Sequence, residues 1–261
     1  MKIFAKILIF SLFLSPAQAF GADVKELYSD HFIIISDKSI DQEYIYKVKN
    51  MAEDFYKIVT QEFNFIRVNP WLWKSRAKIF IAKDKDEYAE KYNCPSWSNA
   101  CVDYHDKRIF TYPQQKDFSS TLSHELTHII FREYVGKEQL PLWLDEGISV
   151  YVAHKYEKKQ NEKAFSLLKQ KIQSGGYIKF SELNNMNSQE LEGKPREYVD
   201  TFYLESFSII NFLVKKWSRY NLNNFFKFLK DGFSVTESLC KSYNIRTLEE
   251  LEKQWIRFYQ I

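Results

Sequence analysis

The segment His124-Glu125-Leu126-Thr127-His128 restricts the fold more than any other part of the sequence. It contains two of the five histidines of the chain, four positions apart. On an α-helix, residues i and i+4 lie on the same face, so both imidazoles can reach a single ion. Apolar residues flank the motif, and neither proline nor glycine interrupts it. The sequence therefore predicts a helix from about Ser119 to Val135 that ends at Gly136.

Glu125 lies beside the two imidazoles and is placed to act as a general base toward water that a bound metal activates. A catalytic zinc ion usually has three protein ligands, so a third ligand is expected. The extended pattern with a glycine and a third histidine is excluded, because Phe131 and Tyr134 occupy those positions. Glu146, 18 residues after His128, is the better candidate, since that interval allows a second helix to return alongside the first. The alternative is an acidic residue that a helix dipole favours.

Residues 1–19 have the composition of a secretory signal peptide. Lys2 and Lys6 precede an apolar stretch from Ile7 to Leu14, and Ala17-Gln18-Ala19 is a small-x-small cleavage site. The apolar stretch is too short to span a bilayer, although an uncleaved anchor is the alternative. We therefore expect an exported protein, periplasmic or secreted, with no stable membrane insertion after cleavage.

Export affects the interpretation of the three cysteines. Cys94 and Cys101 enclose a short loop, and an oxidising compartment favours a disulfide between them. The alternative is a pair of reduced, buried thiols. Cys240 lies far away in a helical stretch and is predicted to be a buried free thiol.

The order of the predicted elements indicates an α+β fold. Short apolar runs predict strands at His31–Ile35, Lys78–Ala82 and Arg108–Tyr112, and Ser39 is predicted to cap the first helix. After Phe118 the pattern is mostly helical. The 45% hydrophobic content excludes disorder as the main state, and a formal charge of 37 − 34 = +3 gives no reason to expect a nucleic-acid partner.

The zinc motif, followed by Trp143-Leu144-Asp145-Glu146-Gly147, resembles the gluzincin zinc metallopeptidases and, more narrowly, the bacterial peptidase MA-like domains. The resemblance implies a zincin-like fold with a small mixed sheet and helices, a mostly helical C-terminal part and an active-site cleft between them. It implies a single catalytic domain over residues 20–261, divided into an α/β subdomain of about 20–136 and a helical subdomain of about 137–261.

By this resemblance His124, His128 and Glu146 bind Zn²⁺ and Glu125 is the general base. Tyr203 matches a family tyrosine and would donate to the oxyanion, with a core tyrosine as the equal alternative. Asp145 would orient a ligand or, more simply, cap a helix.

The implied function is hydrolysis of peptide bonds in a peptide or protein substrate. The G-x-M-E-N-type exopeptidase motif is absent, which favours an endopeptidase. The strand Arg108–Tyr112 is a candidate for pairing with an extended substrate. The alternatives are a non-catalytic peptide-binding or envelope-associated module that keeps the fold, and an exported structural protein with incidental histidines. No residue pattern defines an oligomeric state.

Overall fold

A computed structural model of the chain describes residues 24–65, 70–94, 98–113, 118–136, 140–154 and 158–260. The predicted signal peptide, residues 1–19, lies outside the described residues. Within the described ranges the chain forms a five-stranded sheet and eleven α-helices, so it has the mixed α+β composition that the sequence predicts. Among these residues, no helix combines the length and the apolar character that crossing a bilayer requires.

The elements are defined by the following bounds. The strands are β1 (Val24–Tyr28), β2 (Phe32–Asp37), β3 (Ala77–Ile81), β4 (Ala100–Asp103) and β5 (Arg108–Thr111). The first four helices are α1 (Gln42–Glu62), α2 (Lys85–Tyr92), α3 (Phe118–Val135) and α4 (Leu142–His154). The next four are α5 (Lys158–Ser174), α6 (Phe180–Asn185), α7 (Ser188–Glu192) and α8 (Arg196–Lys216). The last three are α9 (Arg219–Lys230), α10 (Val235–Tyr243) and α11 (Leu248–Gln260), and a short 3-10 helix spans Trp73–Ser75.

The strand order in the sheet is β1-β2-β3-β5-β4. The three inner strands are parallel, whereas β1 and β4 pair antiparallel at the two ends. The register places Ile34 beside Ile79 and Ile79 beside Ile109, and all three side chains are buried. Parallel strands need long crossover connections, and α1 supplies the one between β2 and β3. The sequence predicts the inner strands through their apolar runs but does not reveal the short outer strands.

The prediction that the strand at Arg108 could pair with a substrate is wrong. β5 is an inner strand that pairs with β3 on one side and with β4 on the other, so its backbone is already hydrogen-bonded. Sequence order could not reveal this, since a hairpin places the earlier strand outside the later one.

The first helix begins later than predicted. Asp37 accepts hydrogen bonds from the backbone N–H and the hydroxyl of Ser39, at 2.8 and 2.5 Å. Ser39 therefore belongs to a turn, and the Asp41 carboxylate instead accepts the N–H of Glu43 at 3.3 Å, at the start of α1. The buried face of α1 consists of Ile45, Val48, Ala52, Tyr56 and Val59.

The predicted disulfide is confirmed, because Cys94 and Cys101 are bonded with their Cα atoms 6.0 Å apart. Both cysteines belong to a hydrophobic cluster that includes Phe80, Tyr92 and Phe110. Cys240 is free, as predicted, but it is exposed rather than buried. The sequence pattern predicts the α10 helix correctly, but it does not predict that Cys240 lies on the side of this helix that faces solvent.

The described residues fall into two compact units. One unit contains the sheet, α1, α2 and α3 as far as Ile130. The other contains residues 62–65 and the chain from Phe131 onward, and α4 and α8 pack along each other within it. The division between the two units falls inside α3, between Ile130 and Phe131. The predicted subdomain boundary near residue 136 stays a prediction.

Candidate metal centre

Helix α3 carries both histidines of the motif on one buried face. The Nε2 atoms of His124 and His128 are 2.9 Å apart, and their ring centroids are separated by 4.6 Å. Both side chains are almost completely inaccessible to solvent. The hydroxyl of Thr127, between them, donates to the Ser123 carbonyl at 2.7 Å and so satisfies its own hydrogen-bonding demand within the helix. The local sequence therefore presents two adjacent imidazole nitrogens.

Glu125 is buried on the same turn of α3. Burial raises the pKa of the Tyr88 phenol well above its ordinary value, the Ser98 hydroxyl 2.5 Å away lowers it, and the nearby charge of Glu125 raises it further. Tyr88 therefore stays a neutral phenol beside the carboxylate. The Tyr104 ring, in the turn after β4, meets the His128 ring edge-to-face with a centroid distance of 6.0 Å.

Glu146 lies inside α4 rather than in its first turn. The helix begins at Leu142, four residues earlier than Glu146, and its residues from Leu142 to Val152 are buried. The electrostatic influence of a helix N-terminus is confined to the first turn. A favourable interaction with the helix dipole therefore does not explain why position 146 is a glutamate. A carboxylate buried in an apolar helix needs a cation or hydrogen-bond donors.

The structure brings the three predicted ligands into one group. His124, His128 and Glu146 each offer one ligand atom, and these atoms lie within 4.8 Å of one another. All three side chains are buried. Within the described ranges, this is the group of histidine, cysteine and acidic side chains that could hold a metal ion.

Asp145 is an ion-pair partner rather than a helix cap. Its Oδ2 atom accepts hydrogen bonds from Nε and an Nη atom of Arg132, at 2.9 and 2.6 Å. The Asp145 side chain is 1% exposed, and Arg132 is 30% exposed. Arg132 lies one helical turn after His128 in α3. The helix that carries the two histidines therefore also holds Asp145, the residue next to Glu146, through this ion pair. The four-residue spacing of His124, His128 and Arg132 was the sequence pattern that could have revealed this residue.

Gly147 allows α4 to approach α8 closely. A Cβ atom at this position would lie 2.5 Å from the Ser206 carbonyl oxygen and 3.0 Å from the Ile210 side chain. Real Cβ atoms essentially never approach a neighbouring atom to 2.5 Å. The residue after Glu146 must therefore be glycine for the two helices to keep this separation.

Tyr203 lies in the interior of α8, which begins seven residues earlier at Arg196. It is 6% exposed, and its ring meets the Phe202 ring edge-to-face at 5.9 Å. These contacts fit a tyrosine that helps to form the core. The role of Tyr203 as an oxyanion donor stays a prediction.

Glu205 is a buried acid that no sequence motif marks as functional. Its Oε1 atom accepts the N–H of Ile178 at 2.9 Å, and its side chain is completely buried. Burial raises the pKa of Glu205 to about 8, although the Ile178 N–H and the charge of Lys171 lower it. The carboxyl is thus largely protonated at neutral pH. The only sequence indication is that Glu205 is the single acidic residue in the otherwise apolar or neutral stretch of residues 201–214.

Comparison with known proteins gives a match at the level of the family. The family model described as Peptidase MA superfamily matches residues 79–260, from the middle of β3 almost to the end of the chain. The matched segment contains His124, Glu125, His128 and Glu146. A search of curated proteins returned no match.

Proposed function

The chain belongs to the peptidase MA superfamily, and we propose that it is an exported zinc metalloendopeptidase. One observation carries the proposal: two imidazoles and a carboxylate, all buried, bring their ligand atoms within 4.8 Å of one another. In a family of peptidases, such a group is expected to serve hydrolysis of peptide bonds. The substrate class is a peptide or a protein.

The donor set fits zinc. Zn²⁺ binds imidazole nitrogen and carboxylate oxygen, and catalytic sites commonly use three protein ligands with one position left for water or substrate. His124, His128 and Glu146 would hold the ion. When bound, zinc supplies Lewis-acid polarisation of the scissile carbonyl and lowers the pKa of water. Calcium and magnesium fit less well, because they prefer an all-oxygen shell.

Glu125 is proposed as the general base. It directly follows one proposed ligand and precedes the other by three residues, so the helix holds its carboxylate next to the imidazoles. It would take a proton from water and pass it to the amine that leaves.

Tyr203 is proposed as the donor to the oxyanion. A neutral phenol can donate one hydrogen bond to developing negative charge. The support is its match to the family tyrosine and its position on α8, three residues before Ser206, the residue against which Gly147 packs. Loss of the hydroxyl in Tyr203→Phe would reduce kcat with an intact fold, whereas a tyrosine that only fills the core would tolerate phenylalanine.

Two further parts of the proposal rest on the sequence. Residues 1–19 support export, because they combine a basic start, an apolar stretch and a small-x-small site. The absence of a G-x-M-E-N-type motif supports an endopeptidase rather than an aminopeptidase.

The proposal is tested first by the metal content of the purified protein, measured by elemental mass spectrometry. We expect about one zinc per chain in the wild type and in Glu125→Gln, and much less in Glu146→Ala and in His128→Ala. His105→Ala is the matched control for His128→Ala, because the His105 side chain is 96% exposed and lies outside the ligand group. A folded protein that takes up no zinc when zinc is offered would refute the metal site.

Peptide turnover then separates an enzyme from a non-catalytic module. With a peptide library as substrate, the wild type should cleave internal bonds and Glu125→Gln should lose activity while it keeps its zinc. Removal of a general base typically reduces the rate by a factor of about 10²–10⁴. A zinc-loaded wild type with no turnover, indistinguishable from Glu125→Gln, would favour the peptide-binding or envelope-associated module.

A further inference from the structure

Trp73 is the most exposed large apolar side chain among the described residues, at 79% of its full accessibility. Leu72, next to it, is 39% exposed, whereas Trp71 is completely buried. The Trp71 ring contacts Phe32 and Tyr56 with centroid distances of 5.6 and 5.2 Å. Trp71 therefore anchors the turn to the core, and the same turn carries Leu72 and Trp73 into solvent.

The backbone at Trp73 adopts a conformation that bulky residues rarely accept. Its φ angle is +58°, in the left-handed region, and the turn is closed by a hydrogen bond from the Ser75 N–H to the Leu72 carbonyl at 2.9 Å. This conformation costs free energy for a residue with a Cβ atom. Because Trp73 leaves 79% of its surface exposed, packing in the core does not account for this cost. A contact outside the folded chain would account for it.

Basic side chains accompany the two exposed apolar residues. Lys74 and Arg76 follow Trp73, and residues 71–78 contain three basic residues and no acidic one. The guanidinium carbon of Arg76 lies 6.0 Å from the ring centroid of Tyr28, which is 55% exposed. The Trp73 patch is the surface formed by Tyr28, Leu72, Trp73, Lys74 and Arg76.

Two acidic residues lie close to one end of this patch. Glu26 accepts the Tyr28 hydroxyl, and Arg76 Nε donates to the Asp30 backbone oxygen at 3.1 Å. Glu26 therefore lies beside Tyr28 and Asp30 beside Arg76, whereas residues 72–75 around Trp73 contain one basic residue, Lys74, and no acidic one. The formal charge of the whole chain is only +3, so any attraction to an anionic surface must be local.

We propose that the Trp73 patch docks this protein on the surface of a bilayer that contains anionic lipids. Tryptophan favours the interface between head groups and acyl chains, and lysine and arginine can place their stems on apolar surface while their charges contact phosphate groups. Trp73 and Leu72 enter the interface, and Lys74 and Arg76 contact the head groups. Two exposed apolar side chains are too few for the roughly 800 Å² per partner of a stable protein interface, but they suit reversible interfacial binding.

The test is cosedimentation of the purified mature protein, residues 20–261, with two kinds of vesicles, phosphatidylcholine alone and phosphatidylcholine mixed with phosphatidylglycerol. We expect tighter binding to the anionic vesicles. Trp73→Ala should weaken binding on the order of tenfold, because burial of about a third of an indole is worth that factor. Lys74→Ala should weaken binding to the anionic vesicles about fivefold and leave binding to phosphatidylcholine unchanged.

Tyr220→Ala is the matched control, since Tyr220 is 73% exposed and lies on α9, outside the patch. A second readout is the tryptophan emission, which should shift to shorter wavelength on addition of anionic vesicles in the wild type but not in Trp73→Phe. Any of three results would overturn the proposal: equal binding of wild type and Trp73→Ala, an emission shift that persists in Trp73→Phe, or equal binding to both vesicle types. None of these readouts depends on zinc or on peptidase activity.

Discussion

Replacement of Gly147 by alanine tests whether close contact of α4 and α8 holds the residue next to Glu146 in place. The added Cβ atom would lie 2.5 Å from the Ser206 carbonyl oxygen, whereas ordinary contact begins at 3.4 Å. The two helices would therefore have to separate by up to 3.4 − 2.5 = 0.9 Å. The nearest obstacle is backbone, which cannot rotate away as a flexible side chain could.

Two effects of this substitution have opposite signs. Alanine is favoured over glycine inside a helix by about 1 kcal/mol. Overpacking of a well-filled interior costs about 1–3 kcal/mol, and a backbone contact as short as 2.5 Å belongs at the upper end of that range. We therefore expect Gly147→Ala to lower the free energy of unfolding by about 1–2 kcal/mol. Zinc affinity should fall as well, because the displaced segment includes Glu146.

The assay is urea unfolding of the metal-free protein, followed by competition for zinc with a chelator. Gly193→Ala is the matched control, because Gly193 has a φ of −74° and the nearest atom to an added Cβ is 3.6 Å away. That variant should be as stable as the wild type or slightly more stable. A Gly147→Ala protein that gains about 1 kcal/mol, as helix propensity alone predicts, would refute the reasoning.

Two other predictions concern buried acidic side chains, Glu205 and Asp145. Burial raises the pKa of Glu205 from 4.5 to about 8, so the folded state binds this proton more tightly and stability should fall as the pH rises from about 4.5 to 8, by up to about 5 kcal/mol. Glu205→Gln should flatten this dependence in urea unfolding at several pH values, and an unchanged profile would show that Glu205 titrates normally. Arg132→Met should destabilise the protein by about 2–4 kcal/mol, because Asp145 is 1% exposed and loses its bidentate partner. Thermal unfolding measures this, with Arg132→Lys as an intermediate control, and wild-type stability in Arg132→Met would contradict it.

The features that the sequence predicts correctly are those that short segments determine. The α3 helix follows from residues within a few turns, and the two imidazoles share a face because of helix geometry alone. The end of α3 at Gly136 also follows locally, since this residue has a φ of +66°. The inner strands follow from uninterrupted apolar runs such as residues 32–35, the first four of β2.

The features that the sequence does not predict depend on distant partners. The sequence is compatible with Asp145 as a helix cap, but α4 begins three residues earlier, at Leu142, so Asp145 lies inside the helix. Its partner, Arg132, lies on a different helix and could not be predicted from the residues around Asp145. β4 has only four residues, and its place outside β5 depends on hairpin pairing rather than on its own composition. The exposure of Cys240 depends on which side of α10 meets the rest of the protein.

The proposed ligands consequently differ in how they are held. Helix α3 presents His124 and His128 through its own backbone geometry, with Nε2 atoms 2.9 Å apart. Glu146 depends on tertiary contacts on both sides of it, the ion pair of Asp145 and the close approach of Gly147 to α8. Changes that disturb α4 should therefore weaken zinc binding while the two imidazoles remain together, leaving a weak site with two ligands. Two imidazoles alone hold catalytic zinc poorly. The zinc affinity of the site is therefore expected to depend on the position of α4 and to fall when that helix is displaced.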